Sequence, residues 1–487
     1  MTIVPNEPTV NAEPLTIAKS WDGFVSSSSV HGIRFTSPGF SRIRRFTWAL
    51  MLVTGFSVLL GSITSTVVEY FRYEVNTVIT MVSEREVSFP AVTICNLNTL
   101  RRSKFNEASK DANYSQMFNL AGILSMAGLK GSQRNLTIPY ISGKKVQDMY
   151  KYFGHNLNSY EEGGMLLNCT FNEISCNKSY FKPVLTNSGQ CYTFNPGGQF
   201  GRERFGKEVL TVKQPGSGFG LKIRLVVQAN EYVLMPTHEF SAGWKMLIHD
   251  QKELPLVRDY GFALSPGTHT LVGLVKRKVL NLEPPYTTAC RKEPLETGSA
   301  YTLNGCLRIC QEKYIYAQCG CYAPINFVDG KDFELCDLEK SIKCVLPALD
   351  NFRKHGNKCV CPDPCESVEY TPYLSYAYFP SDVYAVEVAN HLVNIGISKS
   401  NESALIYFRK NVIELDVFFQ QMSHIVIRQS PAKTLRDIYS ELGGLLGASL
   451  GASFLTFIEL FDFIWTCILR KFEKRREKKT HIESLSQ

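Results

Sequence analysis

Two apolar stretches stand out from an otherwise mixed pattern of polar and apolar positions. Phe46 to Val68 runs for 23 residues without a charge, long enough to cross about 30 Å of hydrocarbon as a helix. Leu442 to Leu469 is the second, interrupted only by Glu459 and Asp462. Between them the pattern is that of a folded domain. Val87 to Cys95 reads as a strand, with Pro90 arguing for an edge or bulge. Residues 105–160 are polar with short helical patterns, and residues 190–275 alternate strand-like runs with turns, including Gly216 to Gly220 feeding Leu221 to Val227. Ser381 caps a helix over Asp382 to Leu392. In Val412 to Phe419, Ile413, Leu415, Val417 and Phe419 alternate with Glu414, Asp416 and Phe418, as a strand requires. A second strand, Ile425 to Ile427, leads past Pro431 into the second apolar stretch.

Composition turns this pattern into a topology. Mean hydropathy is −0.10 over 487 residues, so most of the mass is soluble and the chain is not a polytopic transporter. Phe46–Val68 begins too late, and is too long, for a cleaved signal peptide. Arg42, Arg44 and Arg45 precede it, and a basic run from Arg470 to Lys479 follows the second stretch. Basic flanks stay in the cytoplasm, which puts both termini inside and the intervening residues outside the plasma membrane. Sequons begin at Asn113, Asn135, Asn168, Asn177 and Asn401, all in the outer part. Fourteen of the 15 cysteines also fall there, and Cys467 lies in the second stretch. An even number in an oxidising compartment reads as a disulfide framework. Cys306-x3-Cys310 suits one helical face, opposed by Cys359, Cys361 and Cys365 in nested bridges, with Cys319 and Cys321 paired to Cys336 and Cys344. Zinc is disfavoured because no Cys-x2-Cys knuckle occurs. The net charge of +8 owes much to the C-terminal run, a juxtamembrane lipid-facing patch that does not imply nucleic acid. The expected organisation is a cytoplasmic tail (1–45), a first span (46–70), an extracellular disulfide-rich α+β domain (71–440), a second span (441–469) and a basic tail (470–487).

The second span carries the chemistry. Gly443-x3-Gly447-x3-Gly451 is a ladder that lets helices approach closely. Gly451-Ala452-Ser453 exposes backbone and hydroxyl oxygens of the kind that replace water around a cation. Glu459 and Asp462 share a helical face, and carboxylates this deep face water or an ionic partner; Glu441, at the outer end, attracts cations. Gly447-x-Ser449-x-Gly451 also matches a hydrolase nucleophile pattern but lacks its strand-turn-helix context and partners. The stretch reads as the pore of an ion channel, with no catalytic residue, no metal site and no cofactor beyond permeant sodium ions.

At these residues the chain resembles the degenerin/epithelial sodium channel family, whose members are amiloride-sensitive, and within it the acid-sensing and peptide-gated branches. The resemblance covers most of the chain. It rests on His31-Gly32 before the first span, on Phe89-Pro90-Ala91-Val92-Thr93-Ile94-Cys95-Asn96-Leu97-Asn98 after it, and on Gly451-Ala452-Ser453-x-Leu455-Thr456-x-x-Glu459. It implies a trimer, homomeric or with related subunits, a selectivity filter at Gly451, Ala452 and Ser453, and an ion path past Ser440, Glu441, Glu459 and Asp462. Ser440 occupies the small-residue position at the outer mouth where bulky substitutions hold such channels open. The resemblance implies gating roles for His31, Gly32 and an aromatic pair, Tyr73 and Tyr286, the latter replacing the usual Trp. It pairs Cys95 with Cys191, Cys169 with Cys176, Cys290 with Cys365, Cys306 with Cys361, Cys310 with Cys359, Cys319 with Cys344, and Cys321 with Cys336.

The departures concern the agonist. Acid-sensing members carry a His pair after the first span, where this chain has Glu74 and Val75. Their paired carboxylates share a proton across subdomains, and the corresponding places read Lys252 with Asp350 and Glu253 with Leu346. A peptide or other extracellular ligand is therefore expected in place of protons. The other readings are a proton-gated channel, a two-span receptor that does not conduct, and an ATP-gated trimer; the last lacks the Gly-Ala-Ser filter and a basic triphosphate site.

Overall fold

The computed structural model describes residues 23–26, 28–108, 140–233, 241–296, 300–324, 334–354, 359–394, 401–451 and 453–484. After helix α1 (Arg42–Phe71) come strands β1 (Val75–Ser83), β2 (Val87–Ser88) and β3 (Ala91–Asn96), then helices α2 (Arg102–Ala108) and α3 (Gly143–Phe153). Next are β4 (Leu166–Phe171), β5 (Ile174–Ser175), β6 (Phe181–Thr186), β7 (Gly189–Phe194), α4 (Gly198–Phe205), β8 (Thr211–Val212), β9 (Leu221–Val226), β10 (Trp244–His249), β11 (Phe262–Leu264) and β12 (Thr268–Leu280). The chain ends through α5 (Leu303–Cys319), α6 (Leu346–Lys354), β13 (Glu366–Tyr378), α7 (Asp382–Asn394), α8 (Asn401–Asn411), β14 (Val412–Phe419), β15 (Ser423–Pro431), α9 (Leu435–Leu450) and α10 (Phe454–Ser484).

These elements form two compact units. The first takes its described residues from Met1–Asn76, Pro285–Thr287 and Ser430–Gln487. Its helix α1 starts at Arg42, four residues before the apolar stretch, and is the one helix among the described residues long and apolar enough to cross a bilayer. The second apolar stretch is not one helix. It divides into α9, of 16 residues, and α10, with Gly451 and Ser453 between them. Thr434 and Asp437 close a capping box at the start of α9, satisfying amide groups that a helix end leaves orphaned. The first two glycines of the ladder do not serve packing within one chain: a Cβ at Gly443 or Gly447 would meet nothing within 4 Å. The close approach comes from α1, where a Cβ on Gly55 would lie 3.2 Å from the Ser449 carbonyl oxygen. The segment before α1 is hydrogen-bonded from Ser28 onward.

The second unit, residues Thr77–Pro284 and Thr288–Gln429, is α+β. Its largest sheet has the order β1-β15-β12-β14-β9-β4-β5, with β13 also paired to β12. Strand β12 is the spine. One edge pairs antiparallel with β13 from Thr268↔Tyr378 to Leu280↔Glu366; the other pairs in parallel with β14 and then with β15. A five-stranded sheet has the order β11-β10-β3-β7-β6. The single strand expected over Val87–Cys95 is two, split at Phe89-Pro90, and β3 lies inside its sheet and not at an edge. Proline offers no amide to a ladder, and the Phe89 carbonyl at the split accepts instead from Asn195 Nδ2 at 2.6 Å and Gln251 Nε2 at 2.7 Å, which keeps the kink satisfied although buried.

Seven disulfides fix this unit: Cys95–Cys191, Cys169–Cys176, Cys290–Cys365, Cys306–Cys361, Cys310–Cys359, Cys319–Cys344 and Cys321–Cys336. Cys95 and Cys191 are cross-strand partners of β3 and β7. Cys306 and Cys310, four apart on α5, share a helical face toward Cys361 and Cys359. The alternation of β14 reads as one apolar and one polar face, yet both are covered: Glu414 and Asp416 are buried with Ile413, Leu415 and Val417. Their charge is matched by Arg224 at 3.1 Å and Lys222 at 3.3 Å from Glu414, and by the same Lys222 at 3.6 Å from Asp416. Buried carboxylates without such partners would be costly.

Phe89, fully buried, packs against Phe171, Phe194 and Phe419 with ring centroids 5.1, 6.1 and 6.0 Å away. Phe89→Ala should cost about 3–5 kcal/mol of stability. Thermal unfolding of the purified protein checks this, and an unchanged midpoint would contradict the assignment of Phe89 to the core.

Candidate functional site

The first unit concentrates the sequence-predicted residues around the break between α9 and α10. Gly451 ends α9 with φ of 57°, the left-handed conformation glycine adopts without penalty. Its missing side chain is needed twice over, because a Cβ would lie 1.7 Å from His31 Nδ1. The His31 amide donates to the Leu450 carbonyl at 3.0 Å, satisfying one acceptor that the helix end leaves open. Gly32, with φ of 88°, lies where a Cβ would meet the Trp48 ring at 2.7 Å. His31-Gly32 and Gly451 are thus brought together. Ala452 lies outside the described residues.

A run of hydrogen bonds continues from the break. The Ser453 amide donates to Thr456 Oγ1 at 3.0 Å, and Thr456 Oγ1 lies 2.6 Å from Ser29 Oγ. Ser29 donates to Glu459 Oε2 from its amide at 2.9 Å and from its hydroxyl at 3.1 Å. A hydroxyl has one proton; with that of Ser29 on Glu459, Thr456 donates to Ser29. Every proton in the run is then used once, and Glu459 is a pure acceptor. Phe24 packs on Phe463 with ring centroids 4.7 Å apart and tilted by 31°, so the segment before His31 follows α10 for several residues. Asp462, three positions after Glu459, is exposed. Ser29 was not legible as a site residue, since a serine run carries no signal of its own, and Thr456 stood in the Gly451–Glu459 motif without a role.

At the other end of α9, Ser440 is exposed and Glu441 is engaged. Glu441 Oε2 accepts from Thr66 Oγ1 at 3.1 Å and pairs with Lys433 Nζ at 3.0 Å; Lys433 also lies 2.6 Å from Glu69 Oε2. Tyr73 and Tyr286 meet edge to face, with centroids 5.8 Å apart at 87°, and the Tyr73 carbonyl accepts from the Thr287 amide at 3.3 Å.

The residues weighed for proton sensing lie in the second unit. Asp350 pairs with Lys354 at 2.6 Å along α6. Lys252 and Glu253 line a cavity of about 810 Å³ with Asp250, Asp363, Glu366 and Glu369. Burial, then the negative charges of Asp250 and Glu369, push the Glu253 carboxyl up to about 7. A carboxyl can therefore titrate near neutrality here without the partner the sequence offered. Of the sequons, Asn168 is exposed on β4, and Asn177 is exposed and accepts from the Ser179 amide at 2.9 Å. Asn401 heads α8, while Asn113 and Asn135 lie outside the described residues.

Residues 24–463 match the model of a family described as amiloride-sensitive sodium channel. The chain is 30% identical to acid-sensing ion channel 1B of Danio rerio over 94% of its own length and 78% of that relative's. It is 30% identical to acid-sensing ion channel 2 of Rattus norvegicus, over 95% and 90% of the two chains. Acid-sensing ion channel 1 of Gallus gallus is 31% identical over 98% and 89%.

The Glu253 pKa has a consequence for stability. A carboxyl raised from 4.5 to about 7 binds its proton more tightly in the folded chain. That contribution is complete below the unfolded value and is lost as pH rises through the folded one. Glu253→Gln should therefore flatten the fall in thermal stability of the purified protein between about pH 4.5 and 7. An identical slope in both proteins would remove Glu253 from this role.

Proposed function

The chain belongs to the amiloride-sensitive sodium channel family, and from that premise we propose that it is a subunit of a trimeric plasma-membrane channel. The channel is sodium-selective, amiloride-sensitive, homomeric or assembled with related subunits, and opened by an extracellular peptide. It performs no enzymatic chemistry. In this reading α1 and the α9–α10 pair cross the bilayer, both termini are cytoplasmic and residues 71–440 lie outside.

The observation that carries the proposal is the helix break at Gly451–Ser453. Non-helical backbone at membrane depth is tolerated where it lines water or is covered by protein. Here the break is partly covered by His31, and oxygens at Gly451 and Ser453 remain to take the place of water around a partly dehydrated cation. Glu459, held as an acceptor by Ser29, supplies a positioned negative charge below this point, and Asp462 supplies a second. Both favour cations over anions. Strand β1 begins four residues after α1, and β15 ends four residues before α9. Ligand-driven movement of those strands is thereby transmitted along the chain to the pore, with the Tyr73–Tyr286 contact steadying the end of α1.

One observation favours a second reading, gating by protons: Glu253 titrates near neutral pH beside Asp250 and Glu369. Acid steps and amidated peptides, applied to oocytes expressing the full chain under voltage clamp, separate the two. The proposal expects amiloride-blocked sodium current on peptide application, and standing current without agonist when Ser440 is replaced by a bulky residue. Surface protein that passes no sodium current under either stimulus, even with Ser440→Trp, would count against a channel. Gly451→Ala should reduce sodium current at least tenfold at unchanged surface expression, because the new Cβ and the His31 ring need the same space.

A further inference from the structure

Lys433 is held from both sides. The Ala432 amide donates to the Glu74 carbonyl at 2.9 Å, and Thr434 is fixed as the N-cap of α9. Its ammonium is therefore presented at a set place, 2.6 Å from Glu69 Oε2 and 3.0 Å from Glu441 Oε2. One carboxylate belongs to the last turn of α1 and the other to α9. Thr66, one turn before Glu69, donates to the same Glu441 oxygen, which keeps that carboxylate turned toward α1. The nearby cation Arg72 pairs with Glu74 at 3.8 Å and also acts on Glu69 through space, though it holds neither Glu69 nor Glu441 in an ion pair. The three charges sum to minus one; without the lysine they would sum to minus two around one vacated place. Paired carboxylates are the ligands hard divalent cations take, and a lysine ammonium is a compact point charge able to stand in for one.

We propose that Lys433 is a tethered counter-ion of the outer mouth: its ammonium occupies the place between Glu69 and Glu441 that a free divalent cation would otherwise fill. It thereby determines how strongly extracellular divalent cations interfere with sodium entry. The inference rests on the channel reading above, in which α9 borders the ion path. Lys433 is a specificity-determining residue, and Glu441 attracts permeant ions only as far as this internal cation allows.

The test uses the full chain. In oocytes, Lys433→Met should strengthen block of the sodium current by external calcium roughly tenfold, as expected when one of two facing charges loses its counter-charge. Lys433→Arg should behave as the unaltered protein, and Lys433→Met combined with Glu69→Gln should return block toward the starting value. Robust current in Lys433→Met with unchanged calcium block would overturn the inference while leaving the channel reading intact. Should neither the unaltered protein nor any variant conduct, terbium luminescence on purified, detergent-solubilised protein decides independently. Lys433→Met should gain one terbium site per chain that the unaltered protein and the double variant lack. Equal site numbers in all three would likewise overturn it.

Discussion

A helix that stops inside an apolar stretch must find partners for the backbone groups it releases, and this constraint organises the first unit. Lipid offers no hydrogen bonds. The chain meets the requirement with its own N-terminal segment, the His31 amide serving the Leu450 carbonyl. The glycine at 451 follows from that choice, since any Cβ would collide with the histidine. The break and the segment before α1, at opposite ends of the sequence, are therefore one structural device. The hydroxyls of Ser29 and Thr456 extend it to Glu459 and give that carboxylate a defined orientation.

The second unit meets a different difficulty. Its principal strand, β12, is paired along both edges, and β14 beside it carries two carboxylates into the interior. Lys222 and Arg224 compensate them from β9 alongside. Bridges between segments far apart in sequence then restrict the unfolded chain, which suits an extracellular domain. Burial and the neighbouring charges of Asp250 and Glu369 push a further carboxyl, Glu253, up to about 7.

Much of this was legible in the sequence, for identifiable reasons. The first span showed itself by 23 uncharged residues, and β14 by strict alternation. Disulfide connectivity was not available from spacing alone and came with the family resemblance. Three features were hidden. The division of the second span is a backbone event at glycine, and apolar periodicity runs straight through it. Pro90 was read as marking an edge or bulge because proline lacks a donor; the side chains that hold the Phe89 carbonyl there, Asn195 and Gln251, lie 106 and 162 positions from Phe89. Lys433 had no visible role, because its partners are a glutamate 364 positions earlier and one 8 positions later. Long-range polar pairings are what a linear pattern does not encode.

The account turns on whether the interrupted second span borders a hydrated route for cations. Cysteine placed at residue 453 and exposed to a small, positively charged thiol reagent during voltage clamp tests this most directly. The account predicts irreversible loss of sodium current in the open channel, and protection by amiloride. Sodium current that persists while the same cysteine is shown by mass spectrometry to be fully modified would contradict it.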